Sequence, residues 1–157
     1  DDQLAGVQYL KSLPFVDPAR LGIWGWSYGG YMTLYALTHA PDVFKCGAAG
    51  GPVTDWKFYD SIYTERYMRT PQENPVGYKA SSPLEAASRL RAKVLLIHGA
   101  DDDNVHMQNT MSFVDALVKA QRPFELYIQP GQKHGFRGDA VRTYLTQRLL
   151  DFFQRSL

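Results

Sequence analysis

The sequence has 157 residues, 45% of them apolar and 21% charged, with a formal net charge of +1. That is one globular domain with room for a real core. The near-zero charge argues against a basic nucleic-acid stripe or an electrostatic membrane surface, no apolar run reaches membrane-spanning length, and no signal-peptide pattern is present.

In chain order, Leu4, Val7, Leu10 and Leu13 recur at helical spacing, which predicts an amphipathic helix over 3–13. Pro14 and Pro18 mark the following loop. A strand is predicted over 20–26 and a helix over 28–40, which Pro41 ends. The apolar run 44–51 reads as a strand buried on both faces. Cys46, the only cysteine, falls inside it and is expected to be a buried, inert thiol. Residues 53–70 interleave aromatics with charge. Residues 71–83 carry three prolines and predict an irregular excursion. A short helix is expected over 84–90 and a strand over 93–99. A polar loop occupies 100–105, and a helix with Met111, Val114, Leu117 and Val118 on one face occupies 107–120. A strand follows over 124–129, then a loop over 130–138. Leu145, Leu149, Phe152 and Phe153 define the apolar face of a last helix. Strands alternating with helices imply a parallel sheet with right-handed crossovers, four strands in all.

Between the first strand and its helix stands Gly25-Trp26-Ser27-Tyr28-Gly29-Gly30. A strand, a Gly-x-Ser-x-Gly turn and a helix make the nucleophile elbow of an α/β-hydrolase. The tight turn lifts the serine hydroxyl clear of the backbone. Gly25 and Gly29 are expected to remove Cβ atoms that would collide there. The helix N-terminus beside Ser27 favours developing negative charge, with the Tyr28 N–H as oxyanion donor. The plainer alternative is a glycine-rich turn that happens to hold a serine.

In this fold the triad runs Ser, Asp or Glu, then His along the chain. After the third strand comes Asp101-Asp102-Asp103-Asn104, and after the last strand His134. Both lie on loops at strand C-terminal ends, where open α/β sheets bind ligands. Spacing alone does not choose among the three aspartates. Two alternatives stand beside the triad: a surface-loop His134, and a metal site using the aspartates with His98 and His106, although no ligand spacing matches a chelating motif.

Three stretches carry a closer resemblance: Gly25 to Tyr31, the run Tyr59-Asp60-Ser61-Ile62-Tyr63-Thr64-Glu65-Arg66-Tyr67-Met68, and Asp102-Asp103-Asn104-Val105-His106. Through them, nearly end to end, the chain resembles the C-terminal part of the catalytic domain in the dipeptidyl peptidase IV branch of the prolyl oligopeptidase family. The resemblance implies a mostly parallel α/β-hydrolase sheet with flanking helices. It implies Ser27 as nucleophile, His134 as base and Asp102 as their carboxylate. Asn104 is implied to hold a substrate carbonyl, and Tyr28, Val53, Trp56, Tyr59, Tyr63 and Val105 to wall a proline-sized pocket. Ordinary core packing is the alternative for those aromatics. The activity implied is that of a serine exopeptidase releasing N-terminal dipeptides with Pro or Ala in second position, without cofactor or metal.

Asp1-Asp2 in place of an initiator Met suggests a processed product or a fragment. The resemblance implies a partial peptidase domain over 1–157, with an N-terminal β-propeller and the first sheet strands outside it. The missing parts would include a glutamate pair for the substrate amine and a second oxyanion donor. The piece by itself is therefore expected to be weakly active or inactive. The resemblance further implies a homodimer formed through the C-terminal region, with the apolar face of the last helix as the surface. Bacterial relatives are often periplasmic or secreted, and these residues leave the compartment open. Another α/β-hydrolase chemistry (an acylaminoacyl peptidase or an esterase) and a non-catalytic dimerisation domain remain as alternatives.

Overall fold

A computed structural model describes residues 1–157. Four strands, β1 (Gly22–Trp26), β2 (Cys46–Gly50), β3 (Lys93–Gly99) and β4 (Glu125–Gln129), form one sheet in the order β1-β2-β3-β4, and every pairing is parallel. Helix α1 spans Asp2–Ser12, α2 Tyr28–His39, α3 Ser61–Met68, α4 Pro75–Ala80, α5 Gln108–Lys119 and α6 Asp139–Ser156.

The two inner strands are buried on both faces because their alternate residues feed two cores. Val94 and Leu96 of β3 point into one core with Leu34 and Leu37 of α2 and Phe113 and Leu117 of α5. Leu95 and Ile97 point into the other with Cys46, Ala48 and Phe152 of α6. Each of the large side chains fully buried there contributes about 2 kcal/mol of transfer free energy. Cys46 is fully buried, and desolvation pushes its thiol pKa up. The register brings Trp26 beside Gly50, Gly50 beside Ile97, and Gly99 beside Gln129. The loops leaving β1, β2, β3 and β4 therefore emerge along one rim.

Several expectations need correction. Helix α1 forms, but only Val7 is buried, while Leu4 and Leu10 stay exposed. Residues 71–83 are not wholly irregular: Asn74 caps α4 by accepting the Gly77 N–H, and Pro75 occupies its first turn. Within 84–90 the regular element is a single 3₁₀ turn, Ala87–Arg89. Helix α5 buries Asn109, Thr110, Phe113 and Leu117, whereas Met111 and Val118 face solvent. Asn109 and Thr110 lie inside because each has a buried partner. Asn109 accepts the Thr54 N–H at 2.9 Å, and the Thr110 hydroxyl meets His98 Nδ1 at 2.7 Å. A hydrophobicity pattern passes over such residues. Finally, Leu145, Leu149, Phe152 and Phe153 of α6 pack on the chain's own sheet. The face suggested for dimerisation is thus largely taken up by the chain's own sheet, and the exposed large apolar residues of α6 are Tyr144 and Leu150.

Candidate active site

Ser27 is the single residue between β1 and α2. Its backbone sits at φ 60° and ψ −119°, a region that L side chains avoid. Two bonds hold it there: the Ser27 N–H donates to the Gly50 carbonyl at 2.8 Å, and the Ser27 carbonyl accepts from the Tyr31 N–H at 2.9 Å. Gly25 is needed as expected, since a Cβ there would lie 2.3 Å from the Gly29 carbonyl oxygen. Gly29 itself faces nothing within 4 Å, and the second crowded position is Gly30, 2.6 Å from the Gly50 oxygen. Strand β1 therefore passes closest to α2 where Gly25 faces the Gly29 backbone, and α2 meets the end of β2 at Gly30. The Tyr28 N–H opens α2, among the donors a helix leaves without an internal partner.

The loop after β4 brings His134 to this serine. Its Nε2 lies 2.8 Å from Ser27 Oγ, and its Nδ1 lies 2.8 Å from Asp102 Oδ2. The imidazole is one-fifth exposed (21%), whereas the Asp102 side chain is 1% exposed. Asp102 Oδ1 accepts the backbone N–H groups of Asn104 and Val105, both at 3.0 Å. Its Oδ2 receives a second imidazole, His98 Nε2, at 3.2 Å. The neighbouring aspartates are exposed; Asp103 pairs with Lys133, which holds its carboxyl below the usual range. Of the three, Asp102 is the one whose carboxylate meets His134.

Trp26 fixes the His134 segment from below. Its indole N–H donates to the His134 carbonyl at 2.8 Å, and its ring meets Phe136 edge-on at 5.0 Å. The ring fits only because β2 ends in glycine: a Cβ on Gly50 would come within 2.1 Å of it.

Beside the serine, a cavity of about 160 Å³ is lined by Ser27, Tyr28, Val53, Trp56, Tyr59, Tyr63 and Val105. All six residues expected to wall a pocket meet there. Trp56 and Tyr63 stack at 5.9 Å, and Tyr59 meets Tyr63 edge-on at 5.3 Å. Asp55 begins this wall, its carboxylate accepting the Lys57 N–H at 2.9 Å and the Ser82 hydroxyl at 3.0 Å. Asn104 stands at the edge, outside the cavity lining, and its Oδ1 accepts the Tyr59 hydroxyl at 2.8 Å. A larger cavity of about 550 Å³ shares Tyr28, Trp56 and Tyr63 as walls but does not reach Ser27. The metal alternative finds no donor set, since no three His, Cys, Asp or Glu residues gather in suitable positions.

The sequence pattern that describes the prolyl oligopeptidase family matches residues 1–157. The chain belongs to the prolyl oligopeptidase family. Among its relatives, a protein of Emericella nidulans named "Probable dipeptidyl-aminopeptidase B" is 46% identical over 151 residues, which cover 94% of this chain and 17% of that protein. The dipeptidyl aminopeptidase B of Saccharomyces cerevisiae is 42% identical over 158 residues, covering 99% and 19%. The crystal structure of Porphyromonas gingivalis dipeptidyl peptidase 4 superposes with a TM-score of 0.96 at 51% identity, over 100% of this chain and 22% of that one. The chain therefore spans about a fifth of the length of these prolyl oligopeptidase relatives.

Sequence reasoning had no place for two residues that hold the site. Trp26 stood within the elbow stretch without a role of its own, and His98 entered only as a possible metal ligand. The signals were a tryptophan immediately before the serine, and a histidine ending the most apolar strand.

Proposed function

We propose that this chain forms the catalytic core of a serine exopeptidase that releases N-terminal dipeptides with Pro or Ala in second position. One observation carries the reading. A serine hydroxyl, an imidazole and a buried carboxylate are joined by two contacts of 2.8 Å each, beside an aromatic cavity of about 160 Å³.

Ser27 Oγ attacks the carbonyl carbon after the second residue while His134 Nε2 takes its proton. Asp102 keeps the other imidazole proton on Nδ1 and stabilises the imidazolium that forms. The Tyr28 N–H receives the developing oxyanion. As the C–N bond breaks, His134 protonates the leaving amine. Water, deprotonated by the same imidazole, then attacks the acyl-enzyme and frees the dipeptide. A pyrrolidine ring is apolar and lacks an amide N–H, so it suits a pocket of aromatic faces whose lining Val53 and Val105 complete. The amide of Asn104, with its oxygen occupied by Tyr59, offers its N–H groups to a substrate carbonyl.

Recognition of the substrate amine and a second oxyanion donor fall to other parts of the full chain in this reading, so residues 1–157 alone turn over slowly. Loss of one oxyanion donor costs about 10²–10³ in turnover. A homodimer through the C-terminal region belongs to the same proposal, resting on Tyr144 and Leu150 of α6, which are exposed.

The test compares hydrolysis of a Gly-Pro anilide, an acetyl-alanine anilide and a short acyl ester by the full chain. It also follows Ser27 labelling by a fluorophosphonate. The expected result is preference for the Gly-Pro anilide and labelling lost in Ser27→Ala. Turnover of the ester alone points to another hydrolase chemistry. An unlabelled Ser27, with activity unchanged in Ser27→Ala, removes the catalytic reading altogether.

A further inference from the structure

The carboxylate of Asp102 serves two imidazoles. His134 Nδ1 reaches Oδ2 at 2.8 Å from the solvent side, and His98 Nε2 reaches the same oxygen at 3.2 Å from inside the fold. His98 is the penultimate residue of β3 and is 0% exposed.

The protonation of His98 follows from its partners. Its Nε2 lies 2.8 Å from the Val105 carbonyl oxygen, which can only accept, so Nε2 carries a proton. Burial lowers the pKa of the ring, against the opposing pull of the Val105 carbonyl and Asp102. The imidazole is therefore neutral, and Nδ1 accepts the Thr110 hydroxyl at 2.7 Å. The Nε2 proton is donated to the Val105 carbonyl, and Asp102 Oδ2 lies 3.2 Å from the same nitrogen as a close electrostatic contact. Thr110 belongs to α5, so one hydrogen-bonded chain runs from helix to strand to the triad loop.

We infer that His98 is a positioning residue for the catalytic carboxylate and, through Val105, for the wall of the acyl pocket. Oδ1 is held by two backbone N–H groups of its own loop, which fixes one end of the carboxylate. Without His98, Oδ2 would depend on His134 alone, the group that moves and changes charge during the reaction. His98 sets the positive edge of a fixed imidazole 3.2 Å from Oδ2, and that ring does neither. The carboxylate then stays in plane with His134 while the imidazolium forms and decays. The Val105 contact makes the same ring brace a residue that lines the cavity beside Ser27.

This inference rests on the triad reading, and Ser27→Ala tests that separately. Two substitutions in the full chain test His98: His98→Gln and His98→Leu. A glutamine amide can still donate where Nε2 did, whereas leucine cannot. With a Gly-Pro anilide, His98→Leu is expected to lower kcat on the order of tenfold, matching the low end of what losing the outer hydrogen-bond partner of a metal ligand costs. KM should rise by less than kcat falls, through the loosened Val105, and His98→Gln should recover most of both losses. A role in folding alone predicts the reverse: a lowered unfolding midpoint in both variants and kcat per folded active site unchanged. If the leucine variant does not fold, the unaltered enzyme decides the matter. The His98 Nε2 proton, followed by NMR, should shift when a fluorophosphonate modifies Ser27, because both imidazoles share Oδ2. Wild-type kcat in a folded His98→Leu enzyme, or a proton that does not move on modification, overturns the inference while leaving the triad intact.

Discussion

Asp102→Asn is the sharpest perturbation of this site, because the surroundings dictate how the new amide must sit. Oδ1 faces the N–H groups of Asn104 and Val105. An amide nitrogen there would meet two donors in a buried place, at about 1–3 kcal/mol for each group left unpaired. The amide oxygen therefore keeps that side, and the NH₂ group takes the place of Oδ2. It then points at His134 Nδ1, now 2.8 Å from a donor instead of an acceptor. The imidazole answers by moving its proton to Nε2, the nitrogen 2.8 Å from Ser27 Oγ. A protonated Nε2 cannot accept the serine proton. The expected loss in kcat is about 10⁴-fold, the size found when a triad carboxylate becomes an amide. That is about 5.5 kcal/mol of barrier at 1.36 kcal/mol per tenfold. KM should hardly change, since the aromatic pocket and the Tyr28 N–H are untouched. Asp101→Asn and Asp103→Asn, at exposed positions, should stay within about twofold of the parent. The assay is steady-state hydrolysis of a Gly-Pro anilide by the full chain. Retention of more than a tenth of kcat in a folded Asp102→Asn enzyme, or an equal loss in Asp103→Asn, would refute the assignment.

Other substitutions probe the parts around the triad. Trp26→Phe keeps the ring contact with Phe136 but leaves the His134 carbonyl without its donor. A lost hydrogen bond of about 1 kcal/mol should lower kcat about fivefold with KM unchanged, in the same anilide assay. Tyr63→Ala removes the ring stacked on Trp56 at 5.9 Å. At about 0.5–1.5 kcal/mol for such a pair, KM for the Gly-Pro anilide should rise roughly 2- to 10-fold, while a short acyl ester is affected less. Tyr31 packs edge-on against Trp56, and burial raises its pKa to about 12. A pKa raised in the folded state gives stability that is complete below the unfolded value near 10 and is lost as pH climbs to about 12. Phenolate absorbance should therefore be the same for the parent and Tyr31→Phe up to pH about 10.5, and should separate only above it. Separation already at pH 10 would contradict the burial argument.

Much of the fold was legible because the signals are local. Val94 to Ile97 is continuously apolar, as a strand buried on both faces must be, and β3 has the predicted bounds. The elbow was legible too, because a serine between a strand and a helix with glycine at the point of contact is a requirement of backbone geometry. The errors have equally local causes. Helix α5 turns Asn109 and Thr110 inward because distant partners satisfy them, and α1 leaves Leu4 and Leu10 exposed. Neither outcome is written in periodicity, which counts apolar residues and not hydrogen-bond partners.

The residues by themselves determined a parallel α/β sheet, a strained serine turn, and the order serine, aspartate, histidine along the chain. They left three adjacent aspartates equivalent, made Gly29 look crowded in place of Gly30, and gave His98 no role beyond that of a metal ligand. The tertiary structure shows what each of these residues touches, because each contact depends on what another loop brings to the same rim. Asp102 meets an imidazole 32 positions away, Gly30 the carbonyl of Gly50, and His98 the carboxylate that also meets His134. Hydrogen bonds reach only about 3 Å, so which groups pair can be known only once the strands have set the loops side by side.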